Sequence, residues 1–163
     1  TLSRIEARDG PAVSSPIDVS SRIGSRISRV RQRAEAENIA VEWQSPCGVE
    51  ALISPEDLDL VVDHLLDNAL KYTPEGGTVT VRVAEKSGDV VLRVSDSGIG
   101  FGEEAADRLF ERFYRTASAE QHAEGGGLGL PIVQAIAESH GGTATAWSSG
   151  QKEGSTFEVR FPL

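Results

Sequence analysis

The stretch DHLLDNALKY (residues 63–72) decides how the chain is interpreted, because most of it carries the apolar repeat of an α-helix. Apolar residues recur at the i, i+3, i+4 and i+7 spacing of one buried face: Leu58, Val61, Val62, Leu65 and Ala69. Asn68 lies on a polar stripe directly beside that face, with His64 and Lys71. A half-covered amide needs a hydrogen-bond partner or it costs free energy. Asn68 is therefore expected either to bond a neighbouring backbone group or to bind a ligand.

Length and charge limit the classes of function. The chain has 163 residues, enough for one domain with a hydrophobic core, and its net charge of -9 argues against nucleic acid or an anionic membrane as a partner. Cys47 is the only cysteine, so an internal disulfide is impossible and a reducing compartment is expected. No apolar run approaches a membrane span, and no signal peptide is visible. Because the sequence contains no methionine, we expect a piece of a longer protein.

Local patterns interleave helices with β-hairpins. Residues 1–16 are expected to be a linker or the tail of a preceding domain, and residues 17–163 the domain itself. Ser20 or Ser21 is expected to cap a first helix that ends near Glu37, and Ser54 a second helix. The pattern favours an α+β fold, a two-layer sandwich in which helices cover one face of a mixed, mostly antiparallel sheet.

Arginines are concentrated on the first predicted helix. Their positions predict a solvated helix face, with a surface for an acidic partner as the alternative: Arg22, Arg26, Arg29, Arg31 and Arg33.

A glycine-rich run, GGGLGL (residues 125–130), leads into a predicted helix. Such a loop offers free backbone N–H groups and the positive end of a helix dipole to a phosphate. It is not a Walker sequence, since no Gly-Lys-Ser/Thr follows, nor a dinucleotide fingerprint, since Leu130 stands where the third glycine would be. Alone, the run predicts a phosphate site or a flexible hinge equally well.

Asp96 ends a predicted strand and precedes Gly98 and Gly100. Its carboxylate can cap the turn through Gly98, or accept a hydrogen bond from the exocyclic amine of adenine. Guanine has a carbonyl at that place. The glycines would let the backbone approach a base closely. Thr156, on the last predicted strand, is expected to bond the same carboxylate or a shared water.

Asn68 would then suit a Mg²⁺ site, because Mg²⁺ takes a few hard oxygen ligands from protein and the rest from phosphates and water. Lys71 follows Asn68 on the same predicted helix and could reach a phosphate. Tyr72 could pack on a base.

Four motifs occur in an order that resembles the N, G1, F and G2 boxes of one family: NALKY (68–72), DSGIG (96–100), FERFYR (110–115) and GGGLGL (125–130). The family is the catalytic ATP-binding domain of bacterial two-component sensor histidine kinases, and GSTF (154–157) is also similar to its pattern. The match spans roughly residues 17–163. The resemblance implies a Bergerat-type sandwich that binds Mg-ATP under a mobile lid, residues 116–124.

The resemblance also implies roles. Asn68 would hold Mg²⁺, Asp96 would read adenine, and Lys71 and Arg115 would serve the phosphates in catalysis. Phe110 and Phe113 would anchor one end of the lid. The nucleotide contacts that we expect are Asn68, Lys71, Tyr72, Asp96, Gly98, Gly100, Arg115, Gly125, Gly127, Leu128, Gly129, Leu130 and Thr156.

The family further implies a protein-histidine kinase whose substrate histidine lies outside this sequence. None of His64, His122 and His140 is followed by the segment that marks the family's phosphoacceptor helix. The expected partners are the parent's dimerisation and phosphoacceptor domain, whose last helix would end in residues 1–16, and the receiver domain of a response regulator. We expect a cytoplasmic domain of a membrane-anchored parent, and an isolated fragment that is monomeric and does not autophosphorylate.

Three alternatives share the fold: an anti-sigma-factor-type serine kinase, a gyrase-like ATPase and a degenerate nucleotide-binding interaction module. Gyrase-type enzymes use a Glu one turn before the Asn to activate water, and this chain has His64 there, so we expect little hydrolysis. His64 also departs from the histidine kinases, which often have Asn at that position. Gly126 replaces a usual Ser or Thr, and Pro131 a small residue that falls in the first helical turn.

Overall fold

The computed structural model describes residues 15–106, 108–111, 129–150 and 152–163. The elements in chain order are β1 (Ile17–Asp18), α1 (Val19–Ala36), β2 (Ala40–Gln44), β3 (Glu50–Ala51), α2 (Pro55–Tyr72), β4 (Thr78–Lys86), β5 (Asp89–Asp96), α3 (Glu103–Ala106), α4 (Gly129–Ser139), β6 (Thr143–Trp147) and β7 (Ser155–Pro162). Within the described ranges, none of the helices combines the length and the apolar composition needed to cross a bilayer. The expected domain boundary at residue 17 stays a prediction.

Five strands form the main sheet in the order β2-β4-β5-β7-β6, and β1 and β3 form a separate antiparallel pair. β2 runs parallel to β4, whereas the other neighbours are antiparallel. The helix-facing residues of β4 and β5 occupy every second position, as period-two burial requires: Val79, Val81, Val83, Val90, Leu92 and Val94. Most residues between them are polar, although Val91 is apolar and buried as well. The predicted mixed, mostly antiparallel sheet is confirmed.

The hydrophobic core lies between the sheet and the three long helices. The predicted apolar face of α2 is buried throughout, from Leu58 to Ala69. α1 contributes Ile23 and Ile27, and α4 contributes Val133 and Ile136. Fully burying one such side chain contributes about 1.5–3 kcal/mol, so these stripes hold the helices to one face of the sheet. The predicted two-layer sandwich is therefore confirmed.

Helix starts were predicted with mixed success. The Ser54 hydroxyl accepts a hydrogen bond from the Asp57 N–H at 3.4 Å, as predicted for α2. The prediction of Ser20 or Ser21 as the cap of α1 was wrong. Asp18 is the cap, since its Oδ1 accepts from the Ser21 N–H at 2.9 Å and the helix begins at Val19. A carboxylate also stabilises the positive end of the helix dipole, which a hydroxyl does less well.

The arginines of α1 meet neither of the two expectations fully. Arg22 binds Asp59 at 2.8 Å and Arg33 binds Asp67 at 2.9 Å, while Arg26 pairs with Asp63. Three arginines on one helix thus face three aspartates on α2, so the acidic partner lies within the chain. Hydrogen bonds from Arg22 lower the pKa of Asp59. Each pair is partly exposed and contributes up to about 1 kcal/mol.

Candidate functional site

Asp96 ends β5 on the side of the sheet that the helices cover, because it alternates with buried Val94 and Leu92. Its Oδ1 accepts a hydrogen bond from the Gly98 N–H at 2.8 Å. Burial raises the pKa of Asp96 to about 6, although backbone hydrogen bonds from Gly98 and Ser155 oppose the shift. The predicted cap of the turn, in which the Asp96 carboxylate binds the Gly98 N–H, is therefore present. The same carboxylate is poorly solvated, which is why its pKa is raised.

The loop after β5 lies against the C-terminal end of α2. The Ile99 N–H donates to the Tyr72 carbonyl at 3.1 Å. A Cβ on Gly98 would clash with that carbonyl and would lie 2.8 Å from Asp96 Oδ1. Only glycine leaves room for the carbonyl, the turn and the carboxylate together, so Gly98 fixes the distance between α2 and Asp96.

A second segment, residues 148–150 and 152–154, packs against the first loop from the other side. Gly100 has φ +60° and Gly154 has φ +78°, and a Cβ on either would clash with a backbone carbonyl of the opposing loop. Ser148 Oγ accepts from the Phe101 N–H at 3.2 Å and donates to the Gly154 carbonyl at 2.5 Å. Sequence reasoning missed Ser148 and Gly150. Their only signal was a Ser-Ser-Gly turn pattern after a strand.

Asn68 is half-buried on α2, and its carboxamide has no hydrogen-bond partner within the described part of the chain. One turn earlier, His64 lies against the start of α4, since a Cβ on Gly129 would be 3.2 Å from His64 Nδ1. One turn later, Tyr72 meets the loop after β5. Asn68 thus lies on α2 between a contact with α4 and a contact with the Asp96 loop. We expected Asn68 either to bond a neighbouring backbone group or to bind a ligand, and the described residues form no such backbone bond.

Gly98 approaches the Tyr72 carbonyl and Gly129 approaches His64, so these contacts lie on either side of Asn68 along α2. We call this region the α2 cleft: Asn68 on α2, Asp96 and Gly98 at the end of β5, and Gly129 at the start of α4. The 11-residue helix α4 begins at Gly129, beside His64, so the positive end of its dipole lies in this region. The cleft therefore contains an amide, a carboxylate and the N-terminus of a helix.

Lys71 does not extend freely from α2. Its Nζ lies 3.0 Å from Asp67 Oδ2, and Asp67 is also bound by Arg33. Burial by itself would raise the pKa of Asp67, but hydrogen bonds from Arg33 and Lys71 outweigh it and lower that pKa. A phosphate that recruits the Lys71 ammonium would have to compete with this carboxylate, which Arg33 would continue to neutralise.

The hydrogen bond expected between Thr156 and the Asp96 carboxylate is not formed. Thr156 is paired with Ser95, and its Oγ1 lies 3.0 Å from Ser95 Oγ. Neighbouring residues of a strand point to opposite faces, so Thr156 projects from the face that lacks helices. Ser155, one residue earlier, is paired with Asp96 and gives it a backbone N–H.

Other predicted residues divide into two groups. Leu130 is partly buried in the first turn of α4, and Phe110 packs partly buried on the core. The remaining predictions fall outside the described residues: Arg115, Gly125, Gly127, Leu128, Phe113, His122 and the proposed lid over residues 116–124.

Residues 53–163 match the family described as histidine kinase-, DNA gyrase B-, and HSP90-like ATPases. The matched range contains every residue of the α2 cleft. The chain belongs to this family. Membership in this ATPase family implies that the domain binds ATP.

Relatives of this ATPase domain are sensor kinases. The chain is 33% identical to the sensor-like histidine kinase SenX3 of Mycolicibacterium smegmatis over 162 residues, which cover 99% of this chain and 42% of SenX3. It thus spans less than half the length of that relative. The structure is similar to the mycobacterial sensor histidine kinase MprB, with a TM-score of 0.82 and 31% identity over 91% of this chain and 97% of the MprB chain. It is also similar to full-length ShkA in complex with AMPPNP, with a TM-score of 0.83 and 25% identity over 99% of this chain and 33% of ShkA.

Proposed function

We propose that this ATPase domain is the catalytic domain of a two-component sensor histidine kinase. It binds Mg-ATP in the α2 cleft and donates the γ-phosphate to a histidine on a dimerisation domain outside this sequence. The observation that carries the proposal is the α2 cleft itself. The Asn68 carboxamide, which has no hydrogen-bond partner among the described residues, lies on α2 between the start of α4 and the loop that follows the partly buried Asp96 carboxylate. Similarity to SenX3 and MprB supports the choice of kinase class.

The adenine end of the nucleotide is assigned to Asp96. A carboxylate whose burial raises its pKa gains from a donor that approaches it, and the exocyclic amine of adenine is such a donor. Gly98 has no side chain, so the backbone of the loop beside Asp96 could approach the base closely. ShkA, which shares the fold, was solved with AMPPNP, and that molecule carries an adenine base.

The phosphate end is assigned to Asn68 and the start of α4. Mg²⁺ takes few protein ligands when it binds through phosphates, and the Asn68 carboxamide oxygen, which no described residue binds, fits such a site. Asn68 would hold the ion, which would supply positive charge to neutralise the phosphates. The free N–H groups of α4 bind phosphate oxygens, and Lys71 exchanges Asp67 for a phosphate.

The domain supplies positioning and charge rather than a nucleophile. Phosphoryl transfer depends mainly on holding the donor phosphate in line with its acceptor. The acceptor histidine comes from the dimerisation domain, and the phosphate passes on to the receiver domain of a response regulator. We further propose that the parent is anchored in the cell membrane with this domain in the cytoplasm.

Hydrolysis by water is the main competing reaction, and His64 disfavours it. Burial lowers the pKa of His64, so the imidazole is neutral at pH 7, and it packs against Gly129. A gyrase-like ATPase needs a carboxylate base at that position, and Asp63, the neighbouring acid, is bound by Arg26 on another side of α2.

Substituting Asn68→Ala is expected to remove the Mg²⁺ dependence of ATP binding. The parent should bind ATP at least about tenfold more tightly with Mg²⁺ than with EDTA, and the variant should show little difference, because it lacks the oxygen ligand. Isothermal titration calorimetry with and without Mg²⁺ measures both ratios. Gln134→Ala on α4, which removes a carboxamide outside the cleft, is the control. Equal ATP affinity with and without Mg²⁺ in the parent would exclude Asn68 as the ligand.

The kinase assignment is tested by adding the parent's separate dimerisation domain to this chain with γ-labelled ATP. We expect label on the dimerisation domain that is acid-labile and base-stable, which identifies phosphohistidine. Acid-stable label would indicate the serine-kinase alternative. Release of inorganic phosphate without transfer would indicate a gyrase-like ATPase, and ATP binding with neither reaction a degenerate nucleotide-binding module.

A further inference from the structure

The face of the main sheet that carries no helices contains a shallow groove of about 210 Å³. We call it the open-face groove, and its lining is Thr80, Arg82, Arg93, Ser95, Trp147 and Thr156. It lies on the opposite side of the sheet from the α2 cleft, because Ser95 and Asp96 point to opposite faces. The groove therefore has no part in the proposed ATP site.

Strand register explains the shape of the groove. Three small hydroxyl residues lie side by side across β4, β5 and β7, since Thr80 pairs with Ser95 and Ser95 with Thr156. The adjoining row carries long charged side chains, Arg82 opposite Arg93. Short residues beside long ones leave a trough with hydroxyl groups on its floor and guanidinium groups along one wall.

The two arginines of that wall form an unfavourable pair. Like charges directly opposite each other on antiparallel strands destabilise a sheet. Arg93 is compensated, because the buried Glu158 carboxylate accepts its hydrogen bonds at 2.6 and 3.1 Å. Glu158 is also bound by Arg160 at 2.8 Å, and these two arginines lower its pKa although burial opposes them. Arg82 is exposed and has no ion pair within the described ranges.

Trp147 closes the end of the groove at the edge strand β6, where it pairs with Thr156. It is 43% exposed, one of the few large apolar side chains described with such exposure. The Arg93 guanidinium lies 5.1 Å from the centre of its ring, a cation–π distance that holds both side chains in place. An aromatic residue and two guanidinium groups on neighbouring strands have the composition of an interaction surface.

We propose that the open-face groove docks an acidic segment of a protein partner. Side-chain carboxylates of the segment bind Arg82 and Arg93, and an aromatic or aliphatic side chain packs against Trp147. The charge of the groove carries this choice. Arg82 is exposed without an ion pair among the described residues, and Arg93, bound to Glu158, is partly exposed beside it, in a chain whose net charge is -9. That net charge repels long polyanions such as nucleic acid, whereas a short segment with few carboxylates meets mainly the local guanidinium groups.

Glu42 sets the orientation of the segment. It lies at the β2 end of the hydroxyl row, where its Oε2 is 3.5 Å from Thr80 Oγ1. A carboxylate placed there would be repelled, so the acidic side chains of the partner lie over the arginine wall and not over the far end of the floor.

The test uses a labelled ten-residue peptide that alternates glutamate with phenylalanine and glycine, together with a matched peptide carrying glutamine instead of glutamate. We expect saturable binding of the acidic peptide alone, unchanged by ATP, and an affinity at least about tenfold weaker for Arg82→Gln. Arg31→Gln is the control, because Arg31 is an exposed arginine on α1, outside the groove. Its affinity should match that of the parent.

Three further readouts decide the matter. The indole N–H resonance of Trp147 should shift on binding, and Trp147→Ala should weaken binding. Arg82→Gln should melt at the same temperature as the parent or higher, since it removes a like-charge pair. Equal binding of the glutamine peptide, or equal weakening by Arg31→Gln and Arg82→Gln, would overturn the proposal. An Arg82-dependent preference for an oligonucleotide or for anionic vesicles would assign the groove to another occupant and overturn it as well.

Discussion

Asp96→Asn is expected to weaken ATP binding about 30- to 150-fold and, in the same molecule, to raise the melting temperature of the nucleotide-free domain at pH 7.5. In the proposed binding mode the carboxylate accepts the hydrogen bond of the adenine amine, and an amide that turns its NH₂ group to the base would place donor against donor. Losing a charged acceptor in a poorly solvated cleft costs about 2–3 kcal/mol, which is the expected change in affinity.

The gain in stability follows from the pKa of Asp96, which burial raises from 3.8 to about 6. Because the folded state holds the proton more tightly than the unfolded state, the favourable contribution of protonated Asp96 is complete below about pH 4 and is lost as the pH rises through 6. Above that range, the buried charge lowers the stability of the fold by up to about 3 kcal/mol. An uncharged Asn avoids this loss.

Melting curves from pH 4 to pH 8 measure the stability effect, and calorimetric titration with ATP measures the affinity. The two proteins should differ most at pH 7.5 and converge near pH 4. Asp89→Asn, at the other end of β5, makes the same chemical change outside the cleft and serves as the control. GTP that competes as well as ATP for the parent, or unaltered ATP affinity in Asp96→Asn, would refute the adenine-reading role.

The second large effect is expected from Gly98→Ala. Its Cβ would clash with the Tyr72 carbonyl and approach Asp96 Oδ1 to 2.8 Å, so α2 and the loop after β5 would have to separate. The Tyr72 carbonyl belongs to the backbone and cannot rotate away as a flexible side chain can. Overpacking of this kind lowers the free energy of unfolding by about 1–3 kcal/mol or more. The shift would also displace Asp96 from its hydrogen bond with Gly98, so ATP affinity should fall as well.

Gly24→Ala is the matched control, because it is the same chemical change with the opposite expected sign. Gly24 lies within α1, and a Cβ there would meet Trp43 Nε1 at 3.4 Å, an ordinary contact. Alanine stabilises a helix interior by about 0.5–1 kcal/mol relative to glycine. Urea denaturation of both variants gives the two free energies of unfolding. If Gly98→Ala were as stable as the parent, the close packing of α2 on the Asp96 loop would be disproved.

Local sequence patterns were sufficient for the elements that the site is built on. The apolar spacing from Leu58 to Ala69 predicted α2 and its buried face, and it placed Asn68 on the stripe beside that face. Period-two alternation predicted β4 and β5, and hence Asp96 at a strand end. Both signals depend on neighbours within about four residues, which are fixed by the geometry of one helix or one strand.

The sequence by itself thus predicted the main helices and strands and placed Asn68 beside an apolar helix face and Asp96 at a strand end, whereas only the tertiary structure decided which groups face each other. Strand register put Ser155 opposite Asp96 and turned Thr156 to the other face. Helix docking paired the arginines of α1 with the aspartates of α2, and loop packing brought Ser148 to Phe101. A shift of one residue in register would exchange the faces of a strand. Such registers and docking contacts are fixed by packing across distant parts of the chain, so no local pattern encodes them.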